Sequence, residues 1–486
     1  MKMKKKVCFL CGIFITGTFL FAEPKLEDYL SNDLELQRLA LEVKKAQLNS
    51  KKANIENGID IQLSTGKATL QFTGDSSTVK FSPNATISIP QASNLSINVS
   101  SSVSLNSETT NNSVKDTSLS LSIDILSGNS ISRKISLMKA ERSLLEAKRK
   151  LQNYLLTAEN NYYKELLNLY ELSSKIISAQ KDMYDDTIDF DKIKAQGYAK
   201  SSAKYRQAEM KVLSDKHEVE TKIHNLEHEC AVFASKCNTT YDSAINPKDF
   251  IPSEIPDIKE LDILSFAKES YSKIENAEYE HTLADLTRKA DKNFTLSASS
   301  GYTFNNSDTK STSSSSEQNT TTSANYSDTI DVGLDMGWNG LNLDAGVSIP
   351  TDGNLPVYTL SASINPGKFL TASIKNKTNE LNEQEELIAI QSAKNSYDDD
   401  VVDMQSELND IKWSTETNKE TYDMYVSLET DLQNYLKAGV ITESEYLNSF
   451  ANKELYRIKM IIDKINLIIY NNEIKLLFCR DDEINL

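Results

Sequence analysis

The chain has 486 residues, a formal net charge of −17, and only 15 glycines and 9 prolines. The acidic balance excludes the basic footprint that nucleic-acid binding needs. So few helix breakers at this length point to long helices rather than a loop-rich enzyme, in a chain long enough for several ordinary domains.

The N-terminus reads "MKMKKKVCFLCGIFITGTFLFAEP". Four lysines precede an apolar run of about sixteen residues ending at Phe21-Ala22, the pattern of a secretory signal peptide. That run falls short of the roughly 20 residues a membrane span requires. Cleavage after Ala22 is expected, with an uncleaved N-terminal anchor as the alternative. Loss of residues 1–22 removes four lysines and no acid, leaving −21. Cys8 and Cys11 leave with it, and three cysteines are too few for a disulfide scaffold. No other stretch is apolar enough to cross a membrane as a helix, so an integral role after export requires a β-barrel.

Residues 25–57 avoid glycine and proline and read as a helix. From 59 to 127 the pattern becomes period two, as in "NLSINVSSSVSLN" and "TSLSLSIDIL", the signature of strands. Helices follow over 128–196 and 198–236. The order then recurs: helix 257–293, strands 294–365, helices 367–437 and 440–480. Asn339-Gly340 between two alternating runs is a hairpin signal. The stretch 311–323, rich in serine and threonine, is read as a loop or disordered segment.

The two long helical regions share one register. Leu155, Tyr162, Leu169, Ile176, Met183 and Phe190 are spaced by seven, as are Ile390, Tyr397, Met404, Ile411, Asn418, Tyr425 and Leu432. The series differ by a constant 242, and so do Gly197 and Gly439, and Cys237 and Cys479. That offset indicates internal tandem duplication, dividing the chain into a signal peptide (1–22), a first repeat (23–250) and a second (251–486). Heptads imply coiled-coil packing. Gly128 to Gly197 corresponds to a helix of roughly 100 Å at 1.5 Å per residue.

Helix, strands, long helix and second helix, given twice behind a signal peptide, resembles the TolC family of outer-membrane efflux proteins. The sharpest local match is "AGVITESEYLNSF", where Gly439, Thr442 and Glu445 fit the family's helix–helix tip and Asn448 replaces an acid. The first tip keeps Gly197 but has Lys200 and Ala203 at the corresponding positions. The resemblance implies an α+β membrane protein. A long antiparallel α-helical coiled-coil tunnel would lie in the periplasm, and antiparallel β-strands would join a shared trimeric outer-membrane β-barrel. It further implies a homotrimer that docks a periplasmic adaptor and an inner-membrane transporter, as the outer-membrane component of a tripartite efflux or type I secretion system. Strand material exceeds the family's usual two strands per repeat. The surplus is expected to form extracellular hairpins, with a larger barrel as the alternative.

Glycine tolerates the positive φ of a tight reversal, so Gly197 and Gly439 are expected at the turns between helices. Adaptor docking there would involve Gly197, Tyr198, Ser201, Gly439, Val440, Thr442 and Glu443. Glu445 and Asn448 are candidates for a periplasmic gate, with Glu445 in an acidic ring about a threefold axis. Asp398, Asp399, Asp400 and Asp403 are expected on a solvated face. His224 and His228 have zinc-like spacing but read as a chance surface pair, and a Cys237–Cys479 bridge is conceivable. No nucleophile–base pair, phosphate loop or cofactor motif is present, so a non-enzyme without cofactor or metal is expected. The competing class is a non-transporting surface stalk or adhesin with a β membrane anchor, which would need parallel heptads without reversals.

Overall fold

The computed structural model describes residues 24–73, 76–106, 113–242, 244, 246–291, 294–304, 306–307, 325–326 and 328–480. The expected signal peptide with Cys8 and Cys11, and the serine-rich stretch, lie outside them. The first half runs α1 (Leu26–Ser31), α2 (Leu34–Glu56), β1 (Asp60–Ser64), β2 (Thr69–Thr73), β3 (Ser76–Phe81), β4 (Asn84–Ile89), β5 (Leu95–Asn106), β6 (Ser113–Leu126), α3 (Asn129–Ala195), α4 (Ala203–Lys236) and α5 (Pro247–Phe250). The second runs α6 (Ser272–Ala290), β7 (Phe294–Phe304), β8 (Asn306–Ser307), β9 (Asn325–Tyr326), β10 (Thr329–Trp338), β11 (Leu341–Pro350), β12 (Val357–Ile364), α7 (Pro366–Lys437) and α8 (Glu443–Leu477). These elements form two compact units: one holds residues up to 43, 147–275 and from 392, the other 44–146 and 276–391.

In the first unit two helical hairpins are antiparallel. Along α3 and α4, Phe190 meets Tyr205 with ring centroids 5.1 Å apart, Asp186 meets Lys211 at 2.6 Å, and Glu165 meets Lys236. Along α7 and α8, Lys453 pairs with Glu429 at 2.8 Å and Tyr456 stacks on Tyr425 at 5.8 Å. A parallel stalk without reversals is therefore not what the chain builds. The core gathers Tyr162, Leu166, Leu169 and Ile176 of α3, Leu226 and Phe233 of α4, and Ile458, Ile465 and Ile468 of α8. The expected α3 heptad is buried at Tyr162, Leu169, Ile176 and Phe190, but Leu155 is exposed. On α7 only Ala393 and Tyr397 are buried.

The helix expected over 257–293 starts only at Ser272. Ile255 and Ile263 go into the core instead, and Asn471 of α8 satisfies the extended backbone there. Its Oδ1 accepts from Leu261 N–H at 2.9 Å and its Nδ2 donates to the Lys259 carbonyl at 2.9 Å. A strap held by a neighbour's amide satisfies the polar groups that a helix would otherwise pair internally.

The second unit is built on one antiparallel sheet of ten strands. β1 and β2 follow one line, and β3 and β4 the next, both flanking β5 on the same side. The ten strands thus make eight lines, four from each half of the chain. Registers align Ile61, Ile87, Ile97, Leu121, Ser300, Val332, Val347 and Tyr358 in one row across all eight. The adjacent row reads Gln62, Thr86, Asn98, Ser120, Gly301, Asp331, Ser348 and Val357. Since successive side chains alternate faces, one face is almost wholly apolar and the other almost wholly polar. The surplus strands therefore do not stand apart as hairpins, as expected above. They extend the sheet, because their apolar sets are in register with it and a one-residue slip would reverse them. Among the described residues, only β8 and β9 pair separately. At the β10–β11 turn Asn339 and Gly340 have φ of 47° and 94°, the two positive values of a type I′ hairpin.

Within this unit Glu386 of α7 clamps α6. It accepts two bonds from Arg288, at 2.6 and 3.0 Å, and lies 2.8 Å from His281 Nδ1. The Arg288 guanidinium, helped by His281, holds the Glu386 carboxyl below its usual range against burial, which pushes it up. A depressed carboxylate stabilises fully above the unfolded value and loses that contribution as pH falls through the folded one. Glu386→Gln should lower stability at pH 7 by about 2 kcal/mol, and the difference should vanish as the pH is taken below about 4. Denaturant titrations at the two pH values, read by protection of α6 amides, measure this.

Candidate functional sites

Both helix reversals have the predicted glycine in the left-handed region, with φ of 77° at Gly197 and 68° at Gly439. At the second, Gly439 N–H donates to Leu436 O at 3.0 Å and Val440 N–H to Tyr435 O at 2.9 Å. These two bonds constitute a Schellman termination. At the first, Gly197 N–H donates to Lys194 O at 3.0 Å. A Cβ added at either glycine would meet nothing within 4 Å, so both tips are open surface. Val440 is 69% and Tyr198 41% exposed, and Ser201 and Glu443 are exposed as well. Lys204 steadies Tyr198, lying 4.5 Å from its ring centroid and donating to its hydroxyl at 3.3 Å.

Thr442 and Glu445 have a local structural task. The Thr442 hydroxyl accepts from Glu445 N–H at 3.3 Å, while the Glu445 carboxylate accepts from Thr442 N–H at 2.8 Å, closing a capping box on α8. Those bonds from Thr442 hold the Glu445 carboxyl below its usual range. Glu445 therefore turns back on its own helix. The acid that meets Asn448 is Asp185 of α3, whose Oδ1 accepts from Asn448 Nδ2 and from Ser444 Oγ, each at 3.0 Å. Nothing in the sequence pairs α3 with α8, and "YDDT" around Asp185 reads as an ordinary charged turn of helix. Its neighbour Asp186 faces α4, where burial and the Asp186 carboxyl push Asp215 above its usual range.

Other singled-out residues resolve simply. His224 Nδ1 lies 3.2 Å from Glu227. None of Cys230, Cys237 and Cys479 is in a disulfide, so the conceivable Cys237–Cys479 bridge is not formed. The acidic run at 398–403 is not merely solvated: Asp398 pairs with Lys268 at 2.6 Å, and Asp400 accepts from Tyr271 Oη at 2.5 Å. The run thereby ties the strap preceding α6 to α7.

In the sheet unit, the polar face concentrates acids. Asp124, Ser297, Asp335, Asp344 and Ser361 fall in one register row on successive strands from β6 to β12. Asp335 and Asp344 face each other directly and are exposed. Ser361 Oγ donates to Asp344 at 2.7 Å, and Asn94 and Asn129 donate to Asp124 at 2.9 and 2.8 Å. Asp331 stands two pleat repeats away from Asp335 on the same face of β10. No helix among the described residues is long and apolar enough to cross a membrane.

Two family models match end to end: the TP096X N-terminal domain over residues 26–255 and the TP096X C-terminal domain over 256–481. No curated protein matches the sequence. Among solved structures, the outer membrane protein VceC of Vibrio cholerae is 11% identical, with 93% of this chain and 94% of that chain covered, at a TM-score of 0.44. The CmeC outer membrane channel of Campylobacter jejuni is 11% identical over 94% and 86%, at 0.43. The MtrE outer membrane channel of Neisseria gonorrhoeae is 11% identical over 93% and 89%, also at 0.43.

Proposed function

The chain belongs to the TP096X family, and we propose that it is the outer-membrane channel of a tripartite efflux or type I secretion system, passively conducting substrates handed to it by an inner-membrane pump. The observation that carries this reading is the sheet: eight consecutive antiparallel strand lines, apolar on one face and polar on the other. A bilayer admits such a sheet only as a closed barrel, with the apolar face to lipid and the polar face to water. The chain acts as a homotrimer, exported by a cleaved signal peptide, with its helices in the periplasm. It contributes no catalysis; the energy comes from the transporter.

The tips at Gly197–Ser201 and Gly439–Glu443 dock the periplasmic adaptor. Gate chemistry belongs to the Asp185–Asn448–Ser444 contact, with Glu445 as the cap that shapes the turn. Purified protein should fractionate with the outer membrane and give stepwise conductance in planar bilayers; soluble, non-conducting protein would overturn the reading. Gly439→Trp separates docking from folding, since the open surface there accommodates bulk and only the positive φ costs about 1–2 kcal/mol. Export should fall at least tenfold at unchanged protein level and unchanged bilayer conductance. Normal export by Gly439→Trp would remove the tip from adaptor docking.

A further inference from the structure

Among the described residues the two edges of the sheet are unpaired, and each leads directly into a helix with an exposed apolar stripe. β1 and β12 end the strand order and do not pair with each other, although eight strands suffice to close a small barrel. α2, which runs into β1, exposes Leu34, Leu41, Leu48 and Ile55 at 77%, 58%, 65% and 76%, spaced strictly by seven. α7, which leaves β12, exposes Ile374, Leu381, Ile388 and Val402 at 67%, 61%, 67% and 65%, in one seven-residue register that is broken by Asn395 between Ile388 and Val402. A seven-residue apolar stripe is the seam of a coiled coil awaiting its partner helix.

Charge distinguishes the two stripes. Around Leu48 stand Lys44, Lys45, Lys51 and Lys52, all exposed; around Leu381 and Ile388 stand the exposed Glu380, Glu383 and Glu385. Two copies of α2 would set lysines against lysines, and two copies of α7 glutamates against glutamates. α2 against α7 sets opposite signs together and lets like charges oppose the wrong pairings.

Direction gives the same answer. An even number of antiparallel lines makes β1 and β12 run in opposite senses. Rotation about a barrel axis therefore brings β12 of one copy antiparallel to β1 of the next, and antiparallel pairing satisfies both open edges.

We propose that the occupant of this surface is a second copy of the chain, joined head to tail, with β1 and α2 of one copy against β12 and α7 of the next. The inference rests on the channel reading for its trimeric stoichiometry. It adds that each copy contributes eight strand lines, so a trimer closes a barrel of 24 lines. At strand spacings near 4.8 Å and tilts near 40°, such a barrel measures about 48 Å between backbones, roughly twice a twelve-stranded one.

The test uses full-length protein in detergent, with mass photometry for copy number and electron microscopy for strand number. Wild type should be trimeric with 24 lines. The surface changes K44E/K45E should raise the dissociation concentration at least tenfold, and so should E380K/E385K. Combining all four should restore the trimer, an outcome that misfolding would not produce. The proposal is overturned if the charge variants assemble like wild type, if the combination fails to rescue, or if the barrel has eight or twelve strands. A conducting eight-stranded monomer would remove this interface and leave the channel standing. A 24-stranded trimer without conductance would do the reverse.

Discussion

Asp463→Ala should loosen the α7–α8 hairpin by about 3 kcal/mol, since it removes two hydrogen bonds to a buried carboxyl at roughly 1.5 kcal/mol each. Asp463 is 5% exposed, and its two oxygens are both engaged. Oδ1 accepts from Ser414 Oγ at 2.8 Å and Oδ2 from Asn418 Nδ2 at 2.7 Å, while Asn418 Nδ2 also reaches Ser414 Oγ at 3.1 Å. Truncation at Asp463 leaves two half-buried donors facing an apolar gap. Truncation at Asn418 leaves one buried carboxylate oxygen without its donor, so Asn418→Ala should cost about 2 kcal/mol. The double variant should cost less than the sum, with a coupling of about 1–2 kcal/mol between residues that share one network. Native-state hydrogen exchange along α7 and α8 reads the effect locally, without requiring the whole chain to unfold in one step. Equal and additive losses would mean that the triad is not a unit.

That triad also explains the one polar member of the second heptad series. Asn418 occupies the register of Tyr397, Ile411 and Tyr425 because the position faces a buried carboxylate on the partner helix. Periodicity located the position; only the packing of α8 against α7 explains the amide. The same division holds elsewhere. The reversals at Gly197 and Gly439 were legible because positive φ is a local demand that few residues meet. The hairpin at Asn339-Gly340 was legible for the same reason. Glu445 was visible as an acid at the right spacing, but the capping box that engages it is as local as the glycines and was there to be read in "TESE". Asp185 was not legible, since its partners are more than 250 residues away on α8. The composition of the strap before α6 predicts a helix that does not form. The strap's conformation is decided by the core that takes Ile255 and Ile263 and by the amide of Asn471. The number of strand lines departs from the family resemblance, and the alternation in "ATISI" and "PVYTLSASI" carries apolar residues as regularly as in the longer strands.

The acidic row on the polar face leads to the other large effect. Like charges directly opposite on neighbouring strands destabilise a sheet, and Asp335 and Asp344 are such a pair. If the polar face lines a pore, as the proposed function requires, these carboxylates and Asp331 make a band of negative potential repeated in every copy, and the wild-type protein should conduct cations preferentially. Reversal potentials in a KCl gradient should show a several-fold preference for potassium near 0.1 M salt, where the Debye length is about 10 Å. The preference should shrink towards unity near 1 M, where the length is about 3 Å and the centre of a wide lumen no longer senses the wall. Asp335→Asn/Asp344→Asn should remove most of the low-salt preference. Because it also relieves repulsion between facing carboxylates, it should raise the thermal stability of the sheet rather than lower it. The two readouts moving in opposite directions separates an electrostatic role from a structural one: selectivity lost together with stability would mean that the acids hold the sheet, and selectivity unchanged would place the polar face away from the conduction path.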